Sequence, residues 1–179
     1  LVEVKSSTKL KATHLDDLAV SNTMRNIFGL FGVSTWAFAA TSSTMVSNII
    51  GQKRQDEVPQ LILRIVSIST GIAILVCVLL NIFDRQVLSI FSSDETFIQH
   101  GLPALRVVSL ALILMSFSTV CLNAVIGTGN TKINLAIEFF TIILYSAYVY
   151  LVLEKYKMGI TWGWGSEWIY WTSIFILSF

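Results

Sequence analysis

Charge is scarce in this sequence. Only 13% of its 179 residues are Asp, Glu, Lys or Arg, against about 25% in a soluble globular domain. A water-soluble domain of this composition would have too little polar surface to cover its core, which points instead to a polytopic membrane protein. The formal net charge is +1 and no run of Lys or Arg occurs, so no nucleic-acid partner is expected. The only cysteines, Cys77 and Cys121, lie inside apolar runs and read as small core hydrophobes, not as a disulfide or metal pair. His14 and His100 are isolated from each other and from both cysteines, which argues against a metal site. The apolar segments contain no H-E-x-x-H pair, no paired aspartates and no Ser/His dyad, so a membrane-embedded enzyme is not expected and no cofactor is called for. The chain starts at Leu1 with no signal-peptide pattern before its first apolar run, and it stops at Phe179 inside another. It is expected to be a piece of a longer protein.

What is abundant is apolar sequence: 54% of residues are hydrophobic and mean hydropathy is +0.72. A membrane span needs roughly 20 mostly apolar residues. The pattern predicts an all-α polytopic transmembrane bundle without sheet. Residues 1–16 are read as a polar loop, and 17–179 as helices over about 17–50, 59–83, 95–126, 133–153 and 166–179. Four spans are complete and the fifth is cut short. Pro59 suits a first helical turn, where its missing N–H is not needed. The charged "FDRQ" breaks the chain after the second helix, and "VLSIF" reads as an interfacial turn. "SSDE" offers a cap and first-turn acids to the third helix, which Pro103 is placed to kink. Tryptophans in "GITWGWGSEW" suit the membrane–water interface.

The stretch "AVIGTGNTKINLAIEFF" carries two glycines, a Thr and a Lys, a pattern that invites comparison with a phosphate-binding loop. The spacing differs from G-x-x-x-x-G-K-[ST], and apolar runs flank it on both sides. It reads as a tight connection between two spans, with Asn130 or Thr131 capping the next helix. Glu138 then lies roughly 9 Å inside that helix at 1.5 Å per residue. Asn134, Glu138, Thr141, Tyr145 and Tyr148 recur at helical spacing and form one polar face. An intramembrane acid is costly unless paired, protonated or facing water, so Glu138, with Asn134, Thr141 and Tyr145, is the candidate ion- or substrate-binding group. A weaker stripe, Arg106, Ser109, Ser116, Thr119 and Asn123, lies on the third helix, and Ser/Thr residues crowd the first. These hydroxyls read chiefly as interhelical hydrogen-bonding groups, with Gly29 and Gly32 as small contact surfaces.

Two long stretches carry a resemblance. "LAVSNTMRNIFGLFGVSTWAFAATSSTMVSNIIGQKRQDEV" resembles the second helix and following loop of a repeat in the multidrug and toxic compound extrusion (MATE) family, and "LRVVSLALILMSFSTVCLNAVIGTGNTK" resembles the fourth helix with its terminal loop. The resemblance implies about five helices of a six-helix lobe, with wording closer to the C-terminal lobe, so the N-terminal lobe would be the missing partner. It further implies a multi-pass protein of the cell membrane that exports drugs or other small organic compounds in exchange for Na⁺ or H⁺. Asn123 and Arg25 become possible partners of Glu138 if the helices pack as in that family. The sequence departs from the family pattern at Ile126 and Asn130, and no carboxylate occurs between Val107 and Ile126, where many C-terminal lobes place an ion-binding Asp. The family topology places Lys53, Arg54, Arg64 and Lys132 in the cytoplasm, and Lys5, Lys9, Lys11, Arg85, Arg106, Lys155 and Lys157 opposite. Counting charges alone selects the reverse orientation. A lipid-linked sugar flippase of the same superfamily and a non-transporting structural subunit are the alternatives. The flippase is disfavoured because only Arg25, Arg64 and Arg106 stand on the spans.

Overall fold

The computed structural model describes residues 2–156 and 158–178, with side chains from Asp17 onward. Expectations resting on the side chains of Lys5, Lys9, Lys11 and His14, or on Lys157, lie outside the described residues. The chain is helical, and no strand occurs among the described residues.

Helix α1 runs Val2–Gly51 without interruption. The expected polar loop over 1–16 is thereby corrected. Polarity alone does not end a helix, and no proline or glycine precedes Gly29 to break the backbone. A 3₁₀ turn, Gln55–Glu57, leads into α2, Val58–Ile82, where Pro59 occupies the first turn. The charged break and interfacial turn expected next are one short helix, α3, Asp84–Ser89. Its Leu88 is fully buried, and a Cβ on Gly101 would approach Leu88 Cδ1 to 3.1 Å, so α3 is seated on the next helix. Asp84 of α3 pairs with Arg106 at 3.7 Å.

Helix α4, Glu95–Gly127, starts at Asp94, whose carboxylate accepts from Thr96 N at 3.1 Å. Hydrogen bonds from Thr96 hold the exposed Asp94 carboxyl below its usual range. Pro103 lies within the helix. A tight turn through Gly129, at φ +77, leads to α5, Thr131–Val149, capped by Asn130 Oδ1 accepting from Ile133 N at 3.3 Å. The α5 helix then widens into a π turn, Tyr150–Lys155, in which Tyr156 N donates to Leu151 O at 2.9 Å. The Gly/Trp-rich re-entry contains a short helix, α6, Ile160–Trp164, and α7 runs Ser166–Ser178.

Buried α4 is the hub, contacting α1, α2, α3 and α7, whereas α5 packs chiefly on α7. Val20, Met24 and Ile27 of α1 pack with Leu105, Val108, Leu112 and Met115 of α4. Some of the hydroxyls anticipated as interhelical groups do that work, whereas Ser34, Thr41, Thr44 and Thr119 bond back to carbonyls of their own helix. Ser42 Oγ donates to Val120 O at 3.2 Å and Ser47 Oγ to Gly127 O at 3.0 Å. From α2, Ser69 Oγ donates to Ser116 O at 3.3 Å and Asn81 Nδ2 to Ser109 Oγ at 2.9 Å. Gly127 lets the α1 and α4 backbones touch, since a Cβ there would sit 2.6 Å from Ser43 O.

Among the described residues, three helical stretches are long and apolar enough to cross a membrane: Gln55–Ile82, Glu95–Gly127 and Thr131–Lys155. Helix α1, expected from the sequence to span as well, is not among them. Its length suffices, but Ser42, Ser43, Thr44, Ser47 and Asn48 dilute its hydropathy. The outward faces of α2 and α5 are apolar, with Leu63, Ile68, Leu75, Leu135, Phe139 and Ile142 all exposed.

Candidate functional site between the fifth and seventh helices

The polar face of α5 turns toward α7. Half-buried Glu138 is met there by Tyr170, whose Oη donates to Glu138 Oε2 at 3.2 Å. Tyr145 meets the Tyr170 ring edge-on, with centroids 5.8 Å apart. Further along, Tyr148 Oη donates to Trp162 O at 3.2 Å. Two groups of the same face are buried with no hydrogen-bond partner: Asn134 Oδ1 and Thr141 Oγ1. Thr141 is 0% exposed. The surrounding packing is apolar, with Leu122, Ile137 and Ile174 forming a small core beside Tyr170 and Trp171. Among the described residues no ion pair is made by Glu138, and its hydrogen bond from Tyr170 is neutral at the donor.

The two partners that family packing suggested for Glu138 are corrected. Asn123 Nδ2 turns back to donate to Thr119 O, one turn earlier in its own helix, at 2.9 Å. Arg25 is exposed on α1, whereas the helix facing Glu138 is α7. Arg25 instead lines a cavity of about 380 Å³ with Ser21, Phe28, Tyr145, Trp164 and Glu167. Val149 and Leu153 also line it, so the π turn of α5 shapes one wall. Of the predicted α5 face, Tyr145 also reaches this cavity. The structure brings Asn134, Glu138, Thr141 and Tyr145 onto one interface and leaves Asn123 and Arg25 out of it.

Sequence reasoning missed the α7 side: Glu167, Tyr170 and Trp171. Trp171 Nε1 donates to Glu167 Oε2 at 2.9 Å. Trp171 meets Tyr170 edge-on, with centroids 4.8 Å apart. The Trp171 carbonyl accepts from Ser118 Oγ of α4 at 2.7 Å, which pins this part of α7 to the hub. A signal was present in "SEWIYW", where an acid precedes Tyr and Trp by three and four residues, the spacing of one helical face.

This arrangement holds a carboxylate inside an apolar helix interface, tethered by one phenol, next to an open cavity with a second carboxylate on its wall. It suits reversible binding of a cation or proton.

The MatE family model matches residues 10–151. No curated protein matches the chain. A solved structure described as the inward-facing conformation of a multidrug resistance MATE family transporter of the MOP superfamily has a TM-score of 0.75 to the chain at 18% identity. The match covers 89% of the chain and 36% of that transporter, so the chain spans about a third of its length. The family match runs from α1 into the π turn that ends α5, so it covers a helical assembly and not one motif; the chain belongs to the MatE family.

Proposed function

We propose that the chain is part of a membrane transporter, a Na⁺- or H⁺-coupled antiporter that exports small organic compounds, and that Glu138 is its coupling acid. The observation that carries this reading is the Glu138–Tyr170 contact between α5 and α7. A carboxylate in a membrane-crossing helix is hard to explain by packing alone. The single phenol that holds it leaves the other oxygen open to a cation. The orphaned oxygens of Asn134 and Thr141 on the same face support the reading, because buried polar atoms ordinarily have partners. The family supports transport over enzymatic chemistry.

The test is Glu138→Gln in the complete protein that carries this chain, reconstituted in liposomes. The amide keeps size and hydrogen bonding but removes the charge. Gradient-driven export should fall at least tenfold, the scale of about 1.4 kcal/mol, while insertion and folding persist. Export at the parent rate with unchanged pH dependence would refute the coupling role. Failure to accumulate in the membrane would make Glu138 a structural residue of the lobe.

A further inference from the structure

Glu138 does not border the 380 Å³ cavity, whereas Glu167 and Tyr145 do. The contacts joining the two acids run along α7. Glu167 Oε2 accepts from Trp171 Nε1 at 2.9 Å, Trp171 meets Tyr170 edge-on at 4.8 Å, and Tyr170 Oη donates to Glu138 Oε2 at 3.2 Å. Tyr145 closes the layer from α5. An acid open to the cavity and an acid inside the interface are thus joined by two aromatic side chains, each hydrogen-bonded to one of them. Thr141 adds an independent observation. Its fully buried, unpartnered hydroxyl lies on the same polar face of α5, between Glu138 and Tyr145 in the sequence.

We propose that Glu167 is a second cation-accepting carboxylate, the one presented to the cavity, and that Trp171 and Tyr170 are positioning residues that carry its state to Glu138. The inference rests on the reading of Glu138 as the coupling acid. Taken with a proton, a hydronium ion in the cavity gives its proton to Glu167 Oε1, the oxygen that Trp171 leaves open, and departs as water. The carboxylate becomes a neutral acid. Its bond from Trp171 loses charge assistance, which roughly doubles the strength of such a bond. The indole is released, its edge contact with Tyr170 relaxes, and the phenol loosens its hold on Glu138. Loss of the proton from Glu167 to a cavity water reverses each step.

The charged and titratable groups around Glu167 are Arg25 from α1 and Tyr145 from α5, which line the same cavity, with Tyr170 on its own helix and Glu138 behind it. Helix α6 carries no titratable side chain. The α4 side chains that meet α7, Phe117, Ser118 and Leu122, carry no charge.

The experiment measures the pH profile of transport by the complete protein in liposomes. Loosening the phenol withdraws a hydrogen bond from the charged form of Glu138, which favours its protonated form. Glu167→Gln should therefore move the profile midpoint toward higher pH by about one unit, the scale of one hydrogen bond to a charged group. Trp171→Phe keeps an aromatic ring and deletes the N–H, and should move the midpoint the same way by less. Glu167→Asp should restore the parent midpoint. The double variant Glu167→Gln/Trp171→Phe should shift no further than Glu167→Gln alone, because both act on one network. Parent-like profiles in Glu167→Gln and Trp171→Phe would overturn the inference, and if Glu167→Gln fails to insert, Trp171→Phe decides alone. The two readings fail separately. Parent-like export by Glu138→Gln sinks the coupling role of Glu138. Loss of export in Glu138→Gln with unmoved profiles in Glu167→Gln and Trp171→Phe sinks only the role given to Glu167.

Discussion

Thr141 is a side chain whose chemistry and surroundings disagree. It is fully buried on α5, and its hydroxyl finds no acceptor. Leaving a buried hydroxyl unpaired costs about 1–3 kcal/mol, and Val has nearly the same shape without the polar atom. In detergent free of coupling ions, Thr141→Val should raise stability by about 1 kcal/mol, read from the thermal unfolding midpoint. A lower midpoint would mean that the hydroxyl has a stabilising partner, such as a bound water. This residue, like Asn134, Glu138 and Tyr145, was legible from helical spacing alone, because period 3.6 assigns a face whatever the partner. What lies opposite that face was not legible. Asn123 satisfies itself within its own helix, and Arg25 faces a cavity. Both choices depend on which helices become neighbours, and periodicity carries no information on that.

At the scale of the element, the α1–α4 crossing depends on one missing methyl group. A Cβ on Gly127 would lie 2.6 Å from Ser43 O and 3.0 Å from Val46 Cβ, both on α1. Backbone cannot yield as a flexible side chain does, so Gly127→Ala must push the two helices apart. That would also stretch the bond from Ser47 Oγ to Gly127 O. A loss of about 1–3 kcal/mol is expected, the usual cost of overpacking, measured as a lowered thermal midpoint of the purified protein. Helix boundaries were legible where they have local causes. Pro59, the Asp94 cap and Gly129 each act within a turn of the chain. The first turns of α1 were misread because polar composition resembles a loop, although no residue there stops a helix. The helical character of α3 was also missed, since its stability comes from Leu88 seated against α4.

On the scale of the whole molecule, the apolar outer faces of α2 and α5 require a nonpolar surrounding. Large side chains such as Leu63, Leu135 and Phe139 stand exposed in rows, beyond the apolar patches that soluble monomers tolerate. The protein should remain in the membrane fraction after alkaline extraction and enter solution only with detergent; recovery in the aqueous wash would contradict the spanning assignment. The class of the fold was legible because composition reports the solvent the chain must meet. The pairing of α5 with α7 was not, because it arises from how the elements pack around α4.

The π turn at the end of α5 has a bearing on how this chain tolerates changes in length. Such a turn accommodates one residue more than an α-helical turn does, and here it lies between Val149 and the entry to α6. A relative shorter by one residue between Tyr150 and Lys155 can regain plain α-helix there. Everything upstream, including the face that bears Glu138, keeps its phase. A deletion anywhere from Asn134 to Tyr145 would instead rotate part of that face by about 100°, turning some of its oxygens away from α7. Insertions and deletions among relatives are therefore expected to gather in the turn and to avoid the acid-bearing stretch.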